Sequence, residues 1–266
     1  KKDLLIDDLL LPSDLVYDGT DKTITVAVRS GDIVNSDVVN FSIEYKRNGE
    51  VVTSTSNAGT YVVTVSLVSD KYQIAAGSKQ ITTMVVVKRT VTLAVDDINV
   101  VYGSDTPTNF TINVATGSLD FVASDNVERQ ATTEYNKTSN VGKYPISVTT
   151  TADENNYEVV IPNANVVVSP KEIVANITLP TNLVYDALAK VVEVSFQGVI
   201  NDDVINAVIS YNGEIEAVDA GNYTITVACD SDNYVVKAIT TGNTFTITPA
   251  ELKFSVENGH KGYGSA

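Results

Sequence analysis

A strict alternation of apolar and polar residues follows a short turn at residues 219–222 (Asp-Ala-Gly-Asn). From Tyr223 to Val227, aromatic and aliphatic residues alternate with threonine. A period of two is typical of a β-strand that buries one face. Residues 57–65 and 140–148 repeat the pattern, and each copy contains a Gly-x-Tyr triplet. The alternation therefore predicts three equivalent strands whose tyrosine and aliphatic side chains face a core.

The spacing of these strands divides the chain into repeats. Tyr61 and Tyr144 are 83 residues apart, and Tyr144 and Tyr223 are 79 residues apart. Such a period is typical of tandem small domains, each able to bury a modest core of its own. The sequence therefore predicts three domains, followed by a tail or the start of a fourth repeat, with these bounds: 1–88, 89–169, 170–250 and 251–266.

Each repeat also carries a tyrosine-containing turn near its start. Residues 15–19 read Leu-Val-Tyr-Asp-Gly, residues 183–187 read Leu-Val-Tyr-Asp-Ala, and residues 101–105 read Val-Tyr-Gly-Ser-Asp. Asp and Gly after an apolar residue are typical turn chemistry. Two later turns, beginning at Asn48 and Asn212, carry the Asn-Gly pair that favours a β-hairpin.

The opening segment is compatible with two kinds of secondary structure. Leucines within residues 2–12 have helical spacing, which would suit an amphipathic helix. The counterpart in the third repeat, residues 171–180, is rich in β-branched residues instead. Because equivalent repeats should share one fold, we predict a first strand in both.

Composition supports an all-β class and narrows the range of partners. Val, Ile and Thr are abundant, and the 266 residues include 13 Tyr but no Trp. The formal net charge is −15 and the sequence pI is about 4.3. We therefore expect no nucleic-acid partner and no anionic membrane partner, because both require a basic face. No apolar run is long enough to cross a bilayer, so we expect no membrane insertion.

Catalytic chemistry finds little support in the residues. The single histidine, His260, lies among glycines in the tail, so a nucleophile paired with a histidine base is not expected. The single cysteine, Cys229, falls on the core face of the third Gly-x-Tyr strand, where an unpaired thiol acts as a small hydrophobe. We therefore predict that the chain is not an enzyme and has no catalytic, cofactor-binding or metal-binding residues.

Paired carboxylates raise two further hypotheses. They occur at Asp7 and Asp8, Asp96 and Asp97, Asp153 and Glu154, and Asp202 and Asp203. A glycosidase needs two acids facing each other across a cleft of about 5–9 Å, whereas neighbours on a strand point to opposite faces. Acidic loops could instead bind Ca²⁺, and residues 230–233 (Asp-Ser-Asp-Asn) suit it best, without the Gly and downstream Glu of an EF-hand loop. We expect solvated acidic loops and no cofactor, with Ca²⁺ as the alternative.

Several of these motifs together resemble the MBG and YDG families of bacterial surface-protein repeats. They are the Tyr-Asp-Gly element at 17–19 with its counterpart at 185–186, the Asn-Asp-Asp-Val loop at 201–204, the Gly-x-Tyr segment at 219–223 and the joint at 246–252. The second repeat, with Tyr-Gly-Ser-Asp at 102–105, resembles a sister type. The resemblance covers almost the whole chain, and it implies tandem Ig-like antiparallel β-sandwiches within large secreted or wall-attached proteins.

The Gly-x-Tyr strands carry a second resemblance of the same kind. A tyrosine at the start of a late strand is similar to the tyrosine corner of Ig-like sandwiches, where the phenol hydrogen-bonds to the backbone a few residues upstream. The position two residues later, a disulfide cysteine in antibody domains, is aliphatic in all three copies: Val63, Ile146 and Ile225. We therefore expect each core to be closed by aliphatic packing.

These patterns lead to one expected function and one alternative. Short joints, two of which contain proline, predict an elongated, monomeric rod of three Ig-like domains. We expect a non-enzymatic stalk or spacer in a large bacterial surface protein, extracellular at the cell surface or cell wall, that projects a distal adhesive or functional domain. In the alternative, the repeats themselves bind a host or cell-surface glycan or protein, with exposed tyrosines such as Tyr45 or Tyr211 stacking on sugars.

Overall fold

The structure, a computed structural model, describes residues 1–240, 242–257 and 263–264. Regular structure in these residues is almost entirely β-strand, apart from one turn of 3-10 helix at Ala123–Asp125. The predicted all-β class is confirmed. His260 and part of the predicted tail at 251–266 lie outside the described residues.

The strands follow the predicted repeats closely enough to be grouped by them. In residues 1–88 they are β1 (Lys2–Leu4), β2 (Ile6–Leu10), β3 (Thr25–Val28), β4 (Phe41–Arg47), β5 (Glu50–Val52), β6 (Gly59–Leu67), β7 (Tyr72–Ile74) and β8 (Ile81–Val86). In residues 89–169 they are β9 (Arg89–Val95), β10 (Ile98–Val101), β11 (Ile112–Val114), β12 (Arg129–Thr133), β13 (Gly142–Thr150), β14 (Tyr157–Val160) and β15 (Asn165–Ser169). In the third repeat they are β16 (Lys171–Thr178), β17 (Glu193–Gln197), β18 (Ala207–Tyr211), β19 (Gly221–Cys229), β20 (Tyr234–Ile239) and β21 (Thr244–Ile247).

The opening segments are strands, as predicted. The first is divided into β1 and β2 by a break at Leu5, and its register with β3 shifts between Ile6 and Asp8. Its counterpart β16 is continuous. The first segment therefore forms two short strands, in which Leu4, Ile6 and Leu9 are buried while Leu10 is exposed.

The chain divides into two compact units. The first comprises Lys1–Asp97, Pro107–Glu134 and Pro145–Asn165, and the second comprises Ile98–Thr106, Tyr135–Tyr144 and Val166–Ala266. Each unit contains one of the boundaries between predicted repeats, at residues 88–89 and 169–170. The three-domain division remains a prediction from the sequence period.

In the first unit, the Gly-x-Tyr strand β6 lies inside a four-stranded antiparallel sheet of order β5-β4-β6-β8. Tyr61, Val63 and Val65 are buried, while Val62 between them is exposed. The predicted alternation is confirmed. The same unit holds the antiparallel pairs β2–β3, β9–β11 and β12–β13 and the parallel pairs β1–β7 and β9–β14.

The second unit contains two three-stranded sheets of order β17-β16-β20 and β18-β19-β21. Their buried side chains form one hydrophobic cluster, which includes Ile177 from β16, Ile225 from β19 and Phe245 from β21. The two sheets therefore pack against each other around a shared core. The unit also holds the parallel pair β10–β15.

The expectation of purely antiparallel sheets is wrong. In the part of the chain that the structure describes, four strand pairs are parallel: β1–β7, β9–β14, β10–β15 and β16–β20. Parallel partners cannot be joined by a tight hairpin and need a long connection. The opening strand of each repeat pairs with the strand that follows the Gly-x-Tyr strand, so most of the repeat lies between the partners and supplies that connection.

The predicted tyrosine corner and hairpin turns are confirmed. In each Gly-x-Tyr strand the tyrosine hydroxyl donates to the carbonyl oxygen four residues upstream: Tyr61 to Asn57 (2.7 Å), Tyr144 to Asn140 (2.8 Å) and Tyr223 to Asp219 (2.9 Å). Asn48 and Asn212 both have positive φ, as the first position of a type I′ hairpin turn requires.

Candidate functional site

A pair of buried tyrosines shares one carboxylate where the first predicted repeat meets the second. The hydroxyls of Tyr17 and Tyr157 donate to the same oxygen, Oδ2 of Asp125, over 2.8 and 2.6 Å. The rings meet edge to face with centroids 5.3 Å apart and planes at 80°, a geometry favoured by the aromatic quadrupole. We call this arrangement the first boundary cluster.

The local backbone positions these three groups. Val16 forms a parallel bridge with Val87, and the N–H of Tyr17 donates to the Val87 carbonyl oxygen over 2.9 Å. Asp125 ends the 3-10 helix, and Tyr157 begins β14. The Val122 N–H donates to the Tyr157 hydroxyl over 2.9 Å, so that hydroxyl both accepts and donates a hydrogen bond.

Burial beside a carboxylate changes the acidity of the phenols. Burial is the main cause that raises the pKa of Tyr17 to about 12, and the hydrogen bond to Asp125 adds to it. The same two causes, in the same order, raise the pKa of Tyr157 well above its usual range. Both phenols therefore remain neutral donors at physiological pH.

A buried asparagine completes the first boundary cluster. Oδ1 of Asn156 accepts the backbone N–H of Ala58 over 2.9 Å, and its Nδ2 donates to Oδ1 of Asn57 over 3.0 Å and to Asp153. The backbone carbonyl oxygen of Asn156 accepts the N–H of Arg89, the first residue of β9, over 2.9 Å. The side-chain amide of Asn156 can accept from Ala58 and donate to Asn57 and Asp153 because it carries both an acceptor and two donors.

The second boundary cluster, in the second unit, has the same construction. Tyr102 and Tyr234 donate to Oδ2 of Asp203 over 2.8 and 2.6 Å, and their rings lie 5.4 Å apart at 79°. The Ile200 N–H donates to the Tyr234 hydroxyl over 3.2 Å. Burial, followed by the hydrogen bond to Asp203, raises the pKa of Tyr234 to about 12.

The asparagine of the second boundary cluster is Asn233. Its Oδ1 accepts the N–H of Val141 over 2.9 Å, and its Nδ2 donates to Oδ1 of Asn140 over 2.9 Å. The backbone carbonyl oxygen of Asn233 accepts the N–H of Lys171 over 2.9 Å. Each of these contacts repeats one in the first boundary cluster, so the two sites use equivalent residues from consecutive repeats.

The glycines of the first two tyrosine-containing turns lie against the facing loop. Gly19 has a φ of +77°, and a Cβ added there would lie 3.2 Å from Cγ1 of Val122. Gly103 has a φ of +85°, and a Cβ added there would clash with Cδ1 of Ile200. Positive φ therefore favours glycine at both turns, and close approach to Ile200 adds to this at Gly103, whereas the third repeat has Ala187 at the same position with a φ of +62°.

A buried lysine secures the same turn in the first and third repeats, a feature that the sequence analysis did not find. Nζ of Lys22 lies 2.7 Å from Oδ2 of Asp18, and Nζ of Lys190 lies 2.7 Å from Oδ1 of Asp186. Both lysine side chains are buried. The hydrogen bond from Lys22, followed by that from Thr20, lowers the pKa of Asp18 to about 2.

In two of the acidic loops proposed as calcium sites, one carboxylate accepts hydrogen bonds. Asp203 accepts two tyrosine hydroxyls, and Asp230 accepts the backbone N–H and the side-chain amide of Asn206 over 2.8 and 2.7 Å. The backbone N–H of Asn206 is the main cause that lowers the pKa of Asp230. Within residues 1–240, 242–257 and 263–264, no group of three or more His, Cys, Asp or Glu residues is arranged to hold a metal ion.

The tyrosines proposed to stack on sugars have other roles. The prediction that Tyr211 is exposed is wrong, because it is buried and its hydroxyl accepts the Val192 N–H over 3.2 Å. Tyr45 is half-buried, and its hydroxyl accepts the Ile24 N–H over 3.1 Å. Tyr45 in the first repeat and Tyr211 in the third therefore each hold the backbone that precedes the next strand, β3 or β17, through one hydrogen bond. Cys229, predicted on the core face, is half-buried.

The second repeat matches a known domain family. Residues 90–167 match the MBG domain of the YGX type, which confirms the MBG-type resemblance for this part of the chain. The matched segment includes the Tyr-Gly-Ser turn at Tyr102 that supplies the second boundary cluster. No curated protein matches the chain. Among the described residues, no helix combines the length and hydrophobicity needed to cross a membrane.

Proposed function

We propose that the chain is a non-enzymatic spacer of a large bacterial surface protein, built from tandem Ig-like sandwiches and projecting a distal adhesive or functional domain. One observation carries this proposal: the same boundary cluster occurs twice, with equivalent atoms at nearly equal distances. A spacer requires contacts that join consecutive repeats, and the boundary clusters provide such contacts. The match of the second repeat to the MBG domain supports the placement in a repetitive surface protein.

The connections between repeats support a stiff joint. β8 ends at Val86 and β9 begins at Arg89, while only Pro170 separates β15 from β16. Such short links leave no flexible segment of the Gly/Ser kind. Two buried tyrosines and an asparagine, buried at Asn156 and half-buried at Asn233, then bridge each boundary, and bending there would expose them and break their hydrogen bonds.

Location and partners follow from the same proposal. The acidic chain, with a net charge of −15, resists self-association and non-specific binding. We place it outside the cell, at the bacterial surface or cell wall, as a monomer at low concentration. A host or cell-surface glycan or protein would be bound by the distal domain. Binding by the repeats themselves has lost its main support, because Tyr211 is buried.

Small-angle X-ray scattering tests the proposal. We would compare the native chain in EDTA and in millimolar Ca²⁺ with a variant that combines Asp125→Ala and Asp203→Ala. The matched control combines Asp70→Ala and Asp232→Ala, which removes the same charge from exposed loop positions. We expect one extended particle with the same maximum dimension in both buffers and in the control.

Two scattering results would contradict different parts of the spacer proposal, and the boundary variant tests the role of the clusters. The boundary variant should give a broader distribution of dimensions, since its joints lose their carboxylate. A native chain that is compact in both buffers would refute the spacer. A native chain that extends only in Ca²⁺ would assign the stiffness to metal-bound loops instead of the boundary clusters.

A further inference from the structure

Five asparagines of the chain begin a triplet of the form Asn-x-Ser/Thr in which x is not proline. They are Asn40, Asn109, Asn136, Asn176 and Asn222. Such a triplet is the acceptor sequence for asparagine-linked glycosylation, which attaches a glycan to the side-chain nitrogen at the surface of a secreted protein. The triplet is short and the chain is rich in Asn, Ser and Thr, so the surroundings of each asparagine decide which one can act as an acceptor.

Two of the five asparagines lie within strands of the third repeat. Asn176 belongs to β16 and Asn222 to β19, and each of these strands is the central one of a three-stranded sheet. Oδ1 of Asn176 accepts the hydroxyl of Thr240 over 2.6 Å, and Oδ1 of Asn222 accepts that of Thr246 over 2.6 Å. Both triplets are therefore held in a sheet, and each side chain binds a threonine outside its own triplet.

Two further triplets are anchored by a phenylalanine at their middle position. Asn40 and Asn109 are exposed, but Phe41 and Phe110, which follow them, are half-buried. Phe41 and the last residue of its triplet, Ser42, already belong to β4. A partly buried ring holds the middle of each triplet against its repeat, so a modifying enzyme would have to displace that ring to reach the backbone.

The remaining triplet is exposed at all three positions. Asn136, Lys137 and Thr138 lie in the connection 134–141, between the end of β12 and the start of β13, and all three are exposed. The connection is turned locally, because the Asn136 carbonyl oxygen accepts the Ser139 N–H over 2.9 Å and the Ser139 hydroxyl accepts the Asn136 N–H over 3.0 Å. The triplet is thus presented on a surface turn.

The turn also prepares the side-chain amide for reaction. Oδ1 of Asn136 accepts both the backbone N–H of Thr138, over 3.0 Å, and its hydroxyl, over 2.6 Å. Both hydrogen bonds use the oxygen, and neither uses Nδ2, the atom that would carry a glycan. An amide nitrogen is a weak nucleophile because its lone pair is delocalised into the carbonyl group. Donors placed at the oxygen stabilise the negative charge that develops there when Nδ2 loses a proton.

We propose that Asn136 is an acceptor for asparagine-linked glycosylation. Nδ2 of Asn136 attacks the anomeric carbon of an oligosaccharide carried on a polyprenyl diphosphate. The new C–N bond forms as the C–O bond to the diphosphate breaks, the polyprenyl diphosphate leaves, and the amide proton passes to a base of the transferase. The proposal rests on the location outside the cell that is proposed above, since such glycans belong to secreted proteins.

The modified turn lies close to the second boundary cluster. Nδ2 of Asn201 donates to the Lys137 carbonyl oxygen over 3.4 Å, and Asn201 belongs to the same loop as Asp203, the shared carboxylate of that cluster. A glycan is bulky and hydrophilic, so at Asn136 it would cover this part of the surface while leaving the buried hydrogen bonds of the cluster intact.

Transfer to the purified, folded chain tests the proposal. The full chain is incubated with an oligosaccharyltransferase that accepts folded proteins and with an oligosaccharide on polyprenyl diphosphate. A second folded protein with an exposed triplet of this form shows that the enzyme and the donor are active. Mass spectrometry of the intact chain and of its proteolytic peptides measures the glycan at each of the five asparagines. We expect at least tenfold more glycan at Asn136 than at any of the other four.

Variants of the triplet separate the roles of its atoms. Asn136→Gln should abolish the mass shift, and Asn109→Gln is the matched control that should leave it unchanged. Thr138→Ala removes the 2.6 Å hydrogen bond to Oδ1 and should lower transfer at least tenfold. Thr138→Ser keeps a hydroxyl at this position and should retain most of the transfer. Each substitution alters an exposed side chain, and circular dichroism confirms that each variant is folded.

The results of the transfer experiment decide whether Asn136 is an acceptor. A glycan at Asn136 that is lost in Thr138→Ala and retained in Thr138→Ser supports the proposal. A native chain that stays unmodified while the second protein is glycosylated overturns it, and so does a glycan found mainly at Asn40, Asn109, Asn176 or Asn222. Transfer to the purified chain measures the acceptor alone, so it can fail while scattering supports the spacer, and the reverse also holds.

Discussion

The backbone N–H of Ala58 donates a 2.9 Å hydrogen bond to Oδ1 of Asn156, 98 residues further along the chain. Ala58 precedes a Gly-x-Tyr strand, and Asn156 precedes the strand that carries a boundary tyrosine. A buried backbone donor in one repeat thus finds its acceptor in the next. The equivalent hydrogen bond from Val141 to Asn233 has the same length. The pairing of this backbone N–H with an asparagine of the next repeat therefore recurs at both boundaries.

Replacing this amide should destabilise both boundaries alike. Asn156→Ala leaves the Ala58 N–H without its acceptor, which costs about 1–3 kcal/mol of unfolding free energy. Asn233→Ala should have a similar cost through Val141. Urea unfolding measures both, with Asn163→Ala as an exposed control. A cost for Asn156→Ala no greater than that of the control would show that water replaces the lost acceptor.

Asp125 should be coupled energetically to Tyr17, one of the two tyrosines that share its carboxylate. Tyr17→Phe and Asp125→Ala each remove the 2.8 Å hydrogen bond between these residues. The sum of their separate losses of unfolding free energy should therefore exceed the loss in the double variant by about 0.5–3 kcal/mol. The measurement is a double-mutant cycle by urea unfolding. Tyr61→Phe with Asp125→Ala is the comparison, because the Tyr61 hydroxyl binds Asn57 instead. Equal coupling in both cycles would contradict a specific pair.

Local patterns predict most of the strands because they depend on short-range chemistry. The alternation from Tyr61 to Val65 gives β6 and its buried face, and the Asn-Gly pair at Asn48 gives the hairpin turn between β4 and β5. The parallel pairs were missed because a strand pattern does not encode the direction of its partner. Lys2 of β1 pairs with Tyr72, 70 residues away, and nothing in either sequence segment specifies that register.

The boundary clusters were visible only in part. The turn at Tyr17 and the strand tyrosine Tyr157 both stand out as repeated motifs, yet their shared use of Asp125 depends on the tertiary fold. Asp203 was weighed as a metal ligand, since two adjacent aspartates in a loop favour that hypothesis. Its role as a hydrogen-bond acceptor could have been suspected from one signal: an acid recurs at the same loop position in all three repeats.

Alkaline pH should weaken the boundary clusters before the rest of the fold. The pKa of Tyr17 is raised to about 12, above its value near 10 in the unfolded chain. The resulting stability is fully present below pH 10 and is lost as pH rises toward 12. Tyrosinate absorbance followed with unfolding free energy should show a loss over this range that is smaller in Tyr17→Phe. An identical loss in that variant would assign the alkaline transition to other groups.

Acid should weaken the turn that follows Tyr17. Hydrogen bonds from Lys22 and Thr20 lower the pKa of Asp18 to about 2, below its unfolded value near 4. This contribution is present above pH 4 and is lost as pH falls toward 2. It should amount to less than about 1 kcal/mol because solvent screens the partly exposed carboxylate. Urea unfolding of Asp18→Asn should depend less on pH between these limits than that of Asp70→Asn; equal dependence would contradict the pairing.

The two turn glycines should tolerate alanine to different degrees. Gly19→Ala and Gly103→Ala both place a Cβ at positive φ, which costs about 1–2 kcal/mol. Gly103→Ala also drives that Cβ into Ile200, and overpacking adds about 1–3 kcal/mol. Thermal unfolding should therefore show the larger loss for Gly103→Ala, and the added loss should shrink in an Ile200→Ala background, where the obstructing methyl group is gone. If the loss is the same with Ile200 present or absent, the requirement for glycine lies in φ alone.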